Sequence, residues 1–302
     1  MLLLTLAMSA DASLRLFGLL NRWVFRRRFR TATLFYLADQ RYLESITFSW
    51  YARRRKWTPV LGGIFTFSDS GGFICVMGCN EADFCDPANA GRVMGVYMRM
   101  ERMATLLNTD TASYSGILPS VLARMGVDRQ PIEAERTVVW VRRAVKQVRA
   151  LCSMPGDAEV IILGSEGHIG KRLTRQADAE LDTAVIPLDV RRADHQKVKE
   201  ALRAAQPLIF VNAARDDALD QYIDLIPTGS VVLNEVYPEC SSAALLALKA
   251  RNIRYFHISG VAASSLPQFP RAYAGAVPCC AASAAASSSS AVNPASVVLR
   301  ES

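Results

Sequence analysis

The stretch Glu159–Arg172 constrains the fold of this chain more than any other. A short apolar run, Val160–Leu163, ends in three evenly spaced glycines, Gly164, Gly167 and Gly170, and a segment with helical spacing follows. This pattern predicts a buried strand that turns tightly into a helix. The first glycine permits the turn, and the last allows the helix to pack closely on the strand. The N–H groups at the start of such a helix face an anion such as a phosphate.

The glycine spacing is a variant of a known pattern. The strict G-x-G-x-x-G fingerprint has its middle glycine where this chain has Glu166. The spacing found here, G-x-x-G-x-x-G, also occurs among dinucleotide-binding folds, but a glycine turn without any ligand would look the same. Asp189 favours the first interpretation, because it closes the next apolar run 25 positions after Gly164, close to where a Rossmann unit has its ribose-binding acid.

Apolar runs alternate with helical segments after the glycine turn. Such alternation predicts an α/β fold with a doubly wound parallel sheet of the Rossmann type. The predicted strands are Thr183–Leu188, Leu208–Val211, Val231–Leu233 and Arg254–His257, and the predicted helices are Lys171–Leu181, His195–Ala205, Asp216–Leu225 and Ser241–Arg251.

A smaller α+β domain is predicted ahead of this sheet. Its signals are a hairpin within Pro59–Gly78 and a helix over Ala90–Leu107, and a helix over Arg136–Cys152 links it to the sheet. The predicted division is a basic amphipathic arm (1–30), a small α+β substrate or accessory domain (31–135), the Rossmann domain (136–280) and an Ala/Ser-rich tail (281–302).

Composition bounds the class of protein. The chain has 302 residues, of which 51% are hydrophobic and 21% charged, which is typical of a globular protein with a substantial core. Seven is an odd number of cysteines in a long chain, which argues against a disulfide scaffold, and Cys75, Cys79 and Cys85 lack the paired spacing of a zinc site. We therefore expect reduced cysteines, no metal and a cytoplasmic protein.

Most of the net charge of +7 comes from arginines near the N-terminus. Residues 1–10 are apolar but too short to span a bilayer. Residues 12–30 combine leucines and aromatic residues with arginines, which fits a helix docked on the body, an interfacial membrane helix or a transit peptide. The charge suits an acidic partner or a membrane surface, and the absence of any nucleic-acid-binding signature predicts no nucleic-acid partner.

Segments in the second half resemble the shikimate dehydrogenase-like group. They are Ile209–Ala214, Val231–Glu239 and Ala244–Ile253, within a resemblance that covers roughly residues 158–265. Ser113–Gly116 and the glycine turn are also similar to the long-chain acyl-carrier-protein reductases. These resemblances imply an NAD(P)-dependent oxidoreductase that transfers hydride to or from a small carbonyl, imine or acyl substrate in a cleft between two domains. We also expect a homodimer.

The chain departs from both families at the catalytic positions. No lysine lies between Lys56 and Lys146, although the shikimate dehydrogenases use one from the small domain. Gly275 stands where the acyl reductases have a cysteine, and we expect neither Cys279 nor Cys280 to replace it. A Rossmann protein that binds a dinucleotide without chemistry, as a sensor or partner subunit, therefore stays open beside the enzyme.

Candidate site residues follow from the Rossmann interpretation. The pyrophosphate would contact Gly164, Ser165, Gly167, His168, Ile169 and Gly170. Asp189 would bind the adenosine ribose, and Arg191 and Arg192 would bind a 2′-phosphate, which favours NADP while leaving NAD open. Asn212 and Tyr237 lie at strand ends near the expected nicotinamide. The candidates for proton transfer to a substrate are Ser113, Tyr114, Ser115 and Tyr237.

Overall fold

A computed structural model gives the fold. The structure describes residues 7–36, 56–67, 70–130, 132–177, 185–190, 200, 202, 206–237, 239–269, 275–281 and 297–302. The chain divides into two compact units, a first unit of Met1–Arg136 with Val261–Val292 and a second unit of Thr137–Gly260 with Asn293–Ser302. No helix among the described residues is long and apolar enough to cross a membrane.

The helices and strands of the described part are numbered along the chain. They are α1 (Asp11–Trp23), β1 (Phe29–Phe35), β2 (Val60–Thr66), β3 (Gly71–Val76), α2 (Glu81–Cys85), α3 (Ala90–Leu106), β4 (Thr111–Tyr114), α4 (Leu118–Arg124), α5 (Ile132–Leu151), β5 (Val160–Leu163), α6 (Gly170–Ala177), β6 (Val185–Leu188), β7 (Ile209–Asn212), β8 (Val231–Asn234), α7 (Ser242–Ala250), β9 (Arg254–Val261), β10 (Ser264–Leu266) and β11 (Val297–Glu301).

The sheet of the first unit has the order β10-β2-β3-β1-β4. Strand β1 runs parallel to both β3 and β4, whereas β2 is antiparallel to β3 and β10 is antiparallel to β2. The hairpin predicted within Pro59–Gly78 is present as β2 and β3. The sheet is therefore mixed: the parallel pairs β3-β1 and β1-β4 form one side of it, and the antiparallel pairs β10-β2 and β2-β3 form the other.

Helix α3 supplies much of the core of the first unit. Val93, Val96, Met100, Met103 and Leu107 recur every three or four residues, and all five are buried. They pack with residues of β1, β3 and β4 in one cluster. The apolar spacing over Ala90–Leu107 thus builds core, as expected of an amphipathic helix.

The sheet of the second unit has the order β11-β9-β8-β7-β5-β6. Strands β5 to β9 pair in parallel throughout. Strand β6 lies on one side of β5 and β7 on the other, so the strand order reverses between β5 and β7. The predicted α/β fold class, with a parallel sheet after the glycine turn, is confirmed.

One predicted helix has a different form. The segment predicted as Asp216–Leu225 forms two 3₁₀ helices, Asp216–Gln221 and Ile223–Leu225. Leu219 and Tyr222 are buried at a spacing of three, which a 3₁₀ helix satisfies as well as an α-helix does.

The end of the chain also differs from the predicted division. Strand β10 pairs with β2 and Val261 bridges Val277, so residues after 260 join the first unit instead of extending the second to 280. Within the segment predicted as a tail, β11 forms the edge of the second sheet. Arg254 holds it there through Glu301, with Nε–Oε1 and Nη2–Oε2 distances of 2.7 and 2.9 Å. The Ala/Ser composition conceals this short apolar strand.

Candidate functional site

The turn after β5 lies against the backbone that follows β7. Gly164 has a φ of +85°, which side chains other than glycine rarely adopt. A Cβ on Gly164 would lie 2.9 Å from the backbone C and O of Ala213 and N of Ala214. The two loops therefore meet at the point where the strand order reverses, which is where open parallel sheets bind ligands.

Helix α6 starts against the same turn. A Cβ on Gly170 would lie 2.1 Å from the carbonyl oxygen of Gly164, so the helix start packs directly on the strand end. Gly167 is exposed, and its Cβ would meet only Gly164 O, at 3.1 Å. The three glycines thus form a cradle without side chains, and this shape fits a pyrophosphate.

Most N–H groups of the turn are already occupied. Gly164 N and Ser165 N donate to Leu188 O at 2.8 and 3.1 Å, Gly167 N donates to Gly164 O at 2.9 Å, and Lys171 N donates to Gly167 O at 3.0 Å. Ile169 and Gly170 lie at the start of α6, where the N–H groups of a helix have no acceptor within the helix and can bind an anion.

Asp189 supports the turn from the end of β6. Its Oδ2 accepts a hydrogen bond of 3.1 Å from Glu166 N. Glu166 is exposed, and its Oε2 lies 3.9 Å from Lys171 Nζ. Asp189 therefore ties the glycine turn to the neighbouring strand, and its proposed contact with a ribose stays a prediction.

Of the remaining residues predicted to bind the cofactor, the structure describes Ser165 and His168 but not the two arginines after Asp189. Ser165 is buried, and His168 is half-buried with its carbonyl oxygen 2.8 Å from Arg172 Nη1, which donates to it. Arg191 and Arg192 lie outside the described residues, so their predicted contact with a 2′-phosphate stays a prediction.

A row of buried polar side chains crosses the carboxyl ends of β7 and β8 and the middle of β9. Asn212, Asn234 and His257 occupy paired positions in the register. Asn212 Oδ1 accepts from Ala214 N at 3.2 Å, and its Nδ2 donates to Asn234 Oδ1 at 2.7 Å. Asn234 Nδ2 donates to Val236 O at 2.8 Å and lies 3.0 Å from His257 Nδ1. Backbone partners thus set both amide orientations.

This row determines the tautomer of His257. Because an amide NH₂ group only donates, His257 Nδ1 must accept and Nε2 must carry the proton. Nε2 is buried without a hydrogen-bond partner in the described part of the chain. Burial lowers the pKa of His257 to about 4, although a hydrogen bond with the backbone of Asn234 acts in the opposite direction, so the ring is neutral at physiological pH. The Tyr237 ring stands perpendicular to it, with centroids 4.4 Å apart.

We expect His257 to make the stability of the second unit depend on pH. Its folded pKa lies below its unfolded value, so the unfolded chain binds the proton first, and stability is lost as the pH falls from 6.5 towards 4. The loss due to His257 should be about 1.4 kcal/mol between pH 7.5 and 5.5. Urea unfolding at both pH values measures it, with His257→Gln as the reference; equal pH dependence in both proteins would contradict the assignment.

Sequence reasoning missed Glu235 as well as Asn234 and His257. Glu235 follows β8 directly, and its N–H donates to Asn212 O at 3.0 Å. Burial raises the pKa of its carboxyl to about 7, against the opposing charge of Arg215. Its charge therefore changes near neutral pH. The signal in the sequence was a polar residue at the end of each apolar run, as in Ile209–Asn212 and Val231–Asn234.

The hydroxyl candidates of the first unit are buried. Ser113, Tyr114 and Ser115 are all inaccessible. Tyr114 Oη donates to Glu101 Oε1 at 2.9 Å, and the Arg129 guanidinium lies 4.7 Å from its ring centroid. Burial raises the pKa of Tyr114 well above its ordinary value. Burial separates these hydroxyls from solvent, and their role in proton transfer to a substrate stays a prediction.

None of the seven cysteines forms a disulfide bond. Cys279 is buried and Cys280 half-buried, in one 3₁₀ turn after Pro278. A single turn has little dipole with which to stabilise a thiolate, and the expectation that neither thiol is catalytic stays a prediction. In the described ranges no cluster of His, Cys, Asp and Glu could hold a metal ion.

Comparison with known proteins finds distant structural likeness alone. No protein-family model matches the chain, and no curated protein matches it. Among solved structures, L-tryptophan dehydrogenase from Nostoc punctiforme matches at 15% identity over 75% of this chain and 68% of its own, with a TM-score of 0.36. Shikimate 5-dehydrogenase from Listeria monocytogenes, solved with shikimate and NAD, matches at 12% identity over 76% and 86%, with a TM-score of 0.37.

Glutamate dehydrogenase from Peptoniphilus asaccharolyticus matches at 13% identity over 76% of this chain, with a TM-score of 0.38. This chain spans 64% of that enzyme, which is less than two thirds of its length. Because all three TM-scores lie below 0.5, these likenesses do not bear on the activity of this chain.

Proposed function

We propose that the second unit binds NAD or NADP at the glycine turn and that the protein is an NAD(P)-dependent oxidoreductase of a small carbonyl, imine or acyl substrate. One observation carries the proposal. The glycine cradle of Gly164, Gly167 and Gly170 lies at the carboxyl end of β5, where the strand order of a parallel sheet reverses. The loop after β7 approaches the backbone of Gly164, and the start of α6 packs on the same turn through Gly170, so both positions require glycine.

The residues of the turn define how the cofactor would be held. The N–H groups of Ile169 and Gly170 would face the pyrophosphate, and Asp189 would bind the adenosine ribose from the end of β6. A bound nicotinamide dinucleotide supplies or accepts a hydride. Asn212, at the end of β7, orients the polar row through Asn234 and so shapes the surface beside the turn.

Replacing Gly167 by glutamate tests the binding site. The new side chain would bring bulk and negative charge into the cradle, so affinity for NADH or NADPH should fall at least roughly tenfold, or 1.4 kcal/mol. Gly156→Glu is the matched control, because Gly156 is exposed, lies in the same unit and has no atom near its missing Cβ. Titration of cofactor fluorescence measures both affinities. Equal affinity in wild type and Gly167→Glu would remove the site assignment.

A dinucleotide-binding protein without turnover is the second candidate. It is favoured by the buried hydroxyls of Ser113, Tyr114 and Ser115 and by the mutual hydrogen bonds of Asn212, Asn234 and His257. Cofactor-dependent turnover on a panel of hydroxy acids, amino acids and thioesters separates the two. Cofactor binding with no turnover across the panel would favour the binding protein.

A further inference from the structure

Helix α1 has one apolar face that docks on the first unit. Leu14, Gly18 and Asn21 are buried on it. A Cβ on Gly18 would lie 2.0 Å from Leu106 O, so α1 and the end of α3 approach at their backbones. Asn21 Nδ2 donates a hydrogen bond to Phe29 O at 2.8 Å, and Asn21 Oδ1 accepts one from Phe29 N at 3.2 Å. This face of α1 is therefore buried against the rest of the first unit.

The opposite side of α1 is also apolar, and it is exposed. Leu16, Leu19 and Trp23 have exposed fractions of 57%, 56% and 71%. Their spacing places them on one stripe, and at about 100° per residue this stripe lies on the far side of the helix from Leu14 and Gly18. Val24 and Phe25 continue it into the following turn and are exposed as well. The stripe is about 10 Å long within the helix.

Arginines border this exposed stripe. Arg15, Arg22 and Arg26 pair with no carboxylate among the residues that the structure describes, and the Arg22 guanidinium lies 5.1 Å from the Trp23 ring centroid. The nearby acids are already engaged. Asp11 pairs with Arg99, at 2.9 Å, and with Arg102. Asp110 pairs with Arg27 and Arg30, at 2.6 and 2.8 Å.

We propose that this surface, formed by Arg15, Leu16, Leu19, Arg22, Trp23 and the turn Val24–Arg26, docks on an anionic lipid membrane. The leucines and aromatic rings would enter the boundary between headgroups and acyl chains, and the arginines would contact anionic headgroups. Tryptophan beside arginine suits this depth because the ring has an apolar body and a polar N–H. The helix lies in the plane of the membrane and stays docked on the protein.

Charge argues against a second copy of the chain as the occupant. A twofold contact through the same surface would bring the unpaired arginines of both copies together. No described carboxylate on the surface is left to offset them. An anionic lipid layer complements both the apolar stripe and its basic border.

Sedimentation of the full-length protein with lipid vesicles tests the proposal. We expect binding to phosphatidylcholine vesicles that contain phosphatidylserine and little binding to vesicles of phosphatidylcholine alone. Raising the salt to about 1 M should weaken the binding, because the screening length then falls to about 3 Å. Equal binding to both vesicles, or binding to neither, would overturn the proposal.

Paired variants separate the basic border from the stripe. The double variant Arg15→Ala with Arg22→Ala should weaken binding about 30-fold, because each arginine near an anionic surface raises the affinity roughly fivefold. The control is Arg124→Ala with Arg175→Ala, two exposed arginines outside this surface. Leu19→Glu should abolish binding, whereas Leu246→Glu, at an equally exposed leucine on α7, should leave it unchanged. Unchanged circular dichroism and melting show that each variant folds.

Tryptophan fluorescence gives a second readout. Anionic vesicles should shift the emission to the blue, and Trp23→Phe should remove the shift although three other tryptophans remain. The shift persisting in Trp23→Phe would contradict the proposal. The membrane proposal would also be overturned if Leu19→Glu left lipid binding intact but caused a dimer to dissociate or an acidic partner protein to be released.

Discussion

Replacing Glu133 by alanine is expected to lower the free energy of unfolding of the first unit by about 3–5 kcal/mol. Glu133 and Arg129 form a buried ion pair at 2.6 Å, with side-chain exposures of 4% and 14%. Burial is the largest single influence on the pKa of Arg129 and lowers it, but the hydrogen bond to Glu133 and the charges of Glu133, Tyr114 and Glu101 together outweigh burial, so the pKa is raised. Without Glu133 the guanidinium would lose its carboxylate partner, and the N–H of Tyr114 would lose its acceptor.

The reason for this cost can be tested by removing both charges. Arg129→Met with Glu133→Leu should recover much of the loss, because a buried charge is costly chiefly when its partner is missing. Glu133→Gln should lie between wild type and Glu133→Ala, since an amide oxygen can still accept from Tyr114 N. Urea unfolding measures all four proteins. A loss below about 1 kcal/mol for Glu133→Ala, as at exposed ion pairs, would contradict the buried pair.

Replacing Gly170 by alanine is expected to destabilise the second unit by about 3 kcal/mol. The added methyl group would lie 2.1 Å from Gly164 O and 2.7 Å from Gly164 C, which are backbone atoms and cannot rotate away. Either α6 must move off the strand end or the glycine turn must change shape. The cradle proposed for the dinucleotide would be lost in both cases.

Gly156→Ala is the control for this prediction, because Gly156 has open space around it. It should be neutral or slightly stabilising, since alanine narrows the unfolded ensemble. Thermal unfolding and cofactor titration of the two variants give the comparison. A Gly170→Ala protein with wild-type stability and wild-type affinity would show that α6 does not pack on the turn as described.

Local pattern in the sequence was enough to predict the strands and helices that lead to the proposed site. The apolar runs at Val160–Leu163 and Val231–Leu233 form strands, and Ala90–Leu107 forms a helix, because alternation and periodicity are properties of neighbouring residues. The glycine spacing at Gly164 and Gly170 likewise marked a place where backbones approach. The clash at Gly170 is with the nearby Gly164, whereas the contact at Gly164 involves Ala213 and Ala214 of the loop after β7.

Contacts between distant segments were decided only by the tertiary structure. Asn212, Asn234 and His257 join because parallel register brings the ends of β7 and β8 beside the middle of β9, and no local pattern states the register. The burial of Tyr114 depends in the same way on Glu101 and Arg129, which other segments supply.

For helix α1, the sequence predicted one part of the structure and tertiary contacts decided the other. Its sequence predicted an amphipathic, basic segment but left its partner open. Leu14 faces α3 and Trp23 faces outward because Gly18 and Asn21 lock one side of the helix onto backbone atoms around Leu106 and Phe29. Periodicity determines that a helix has apolar stripes, whereas the fit of one stripe to the rest of the chain decides which of them is buried.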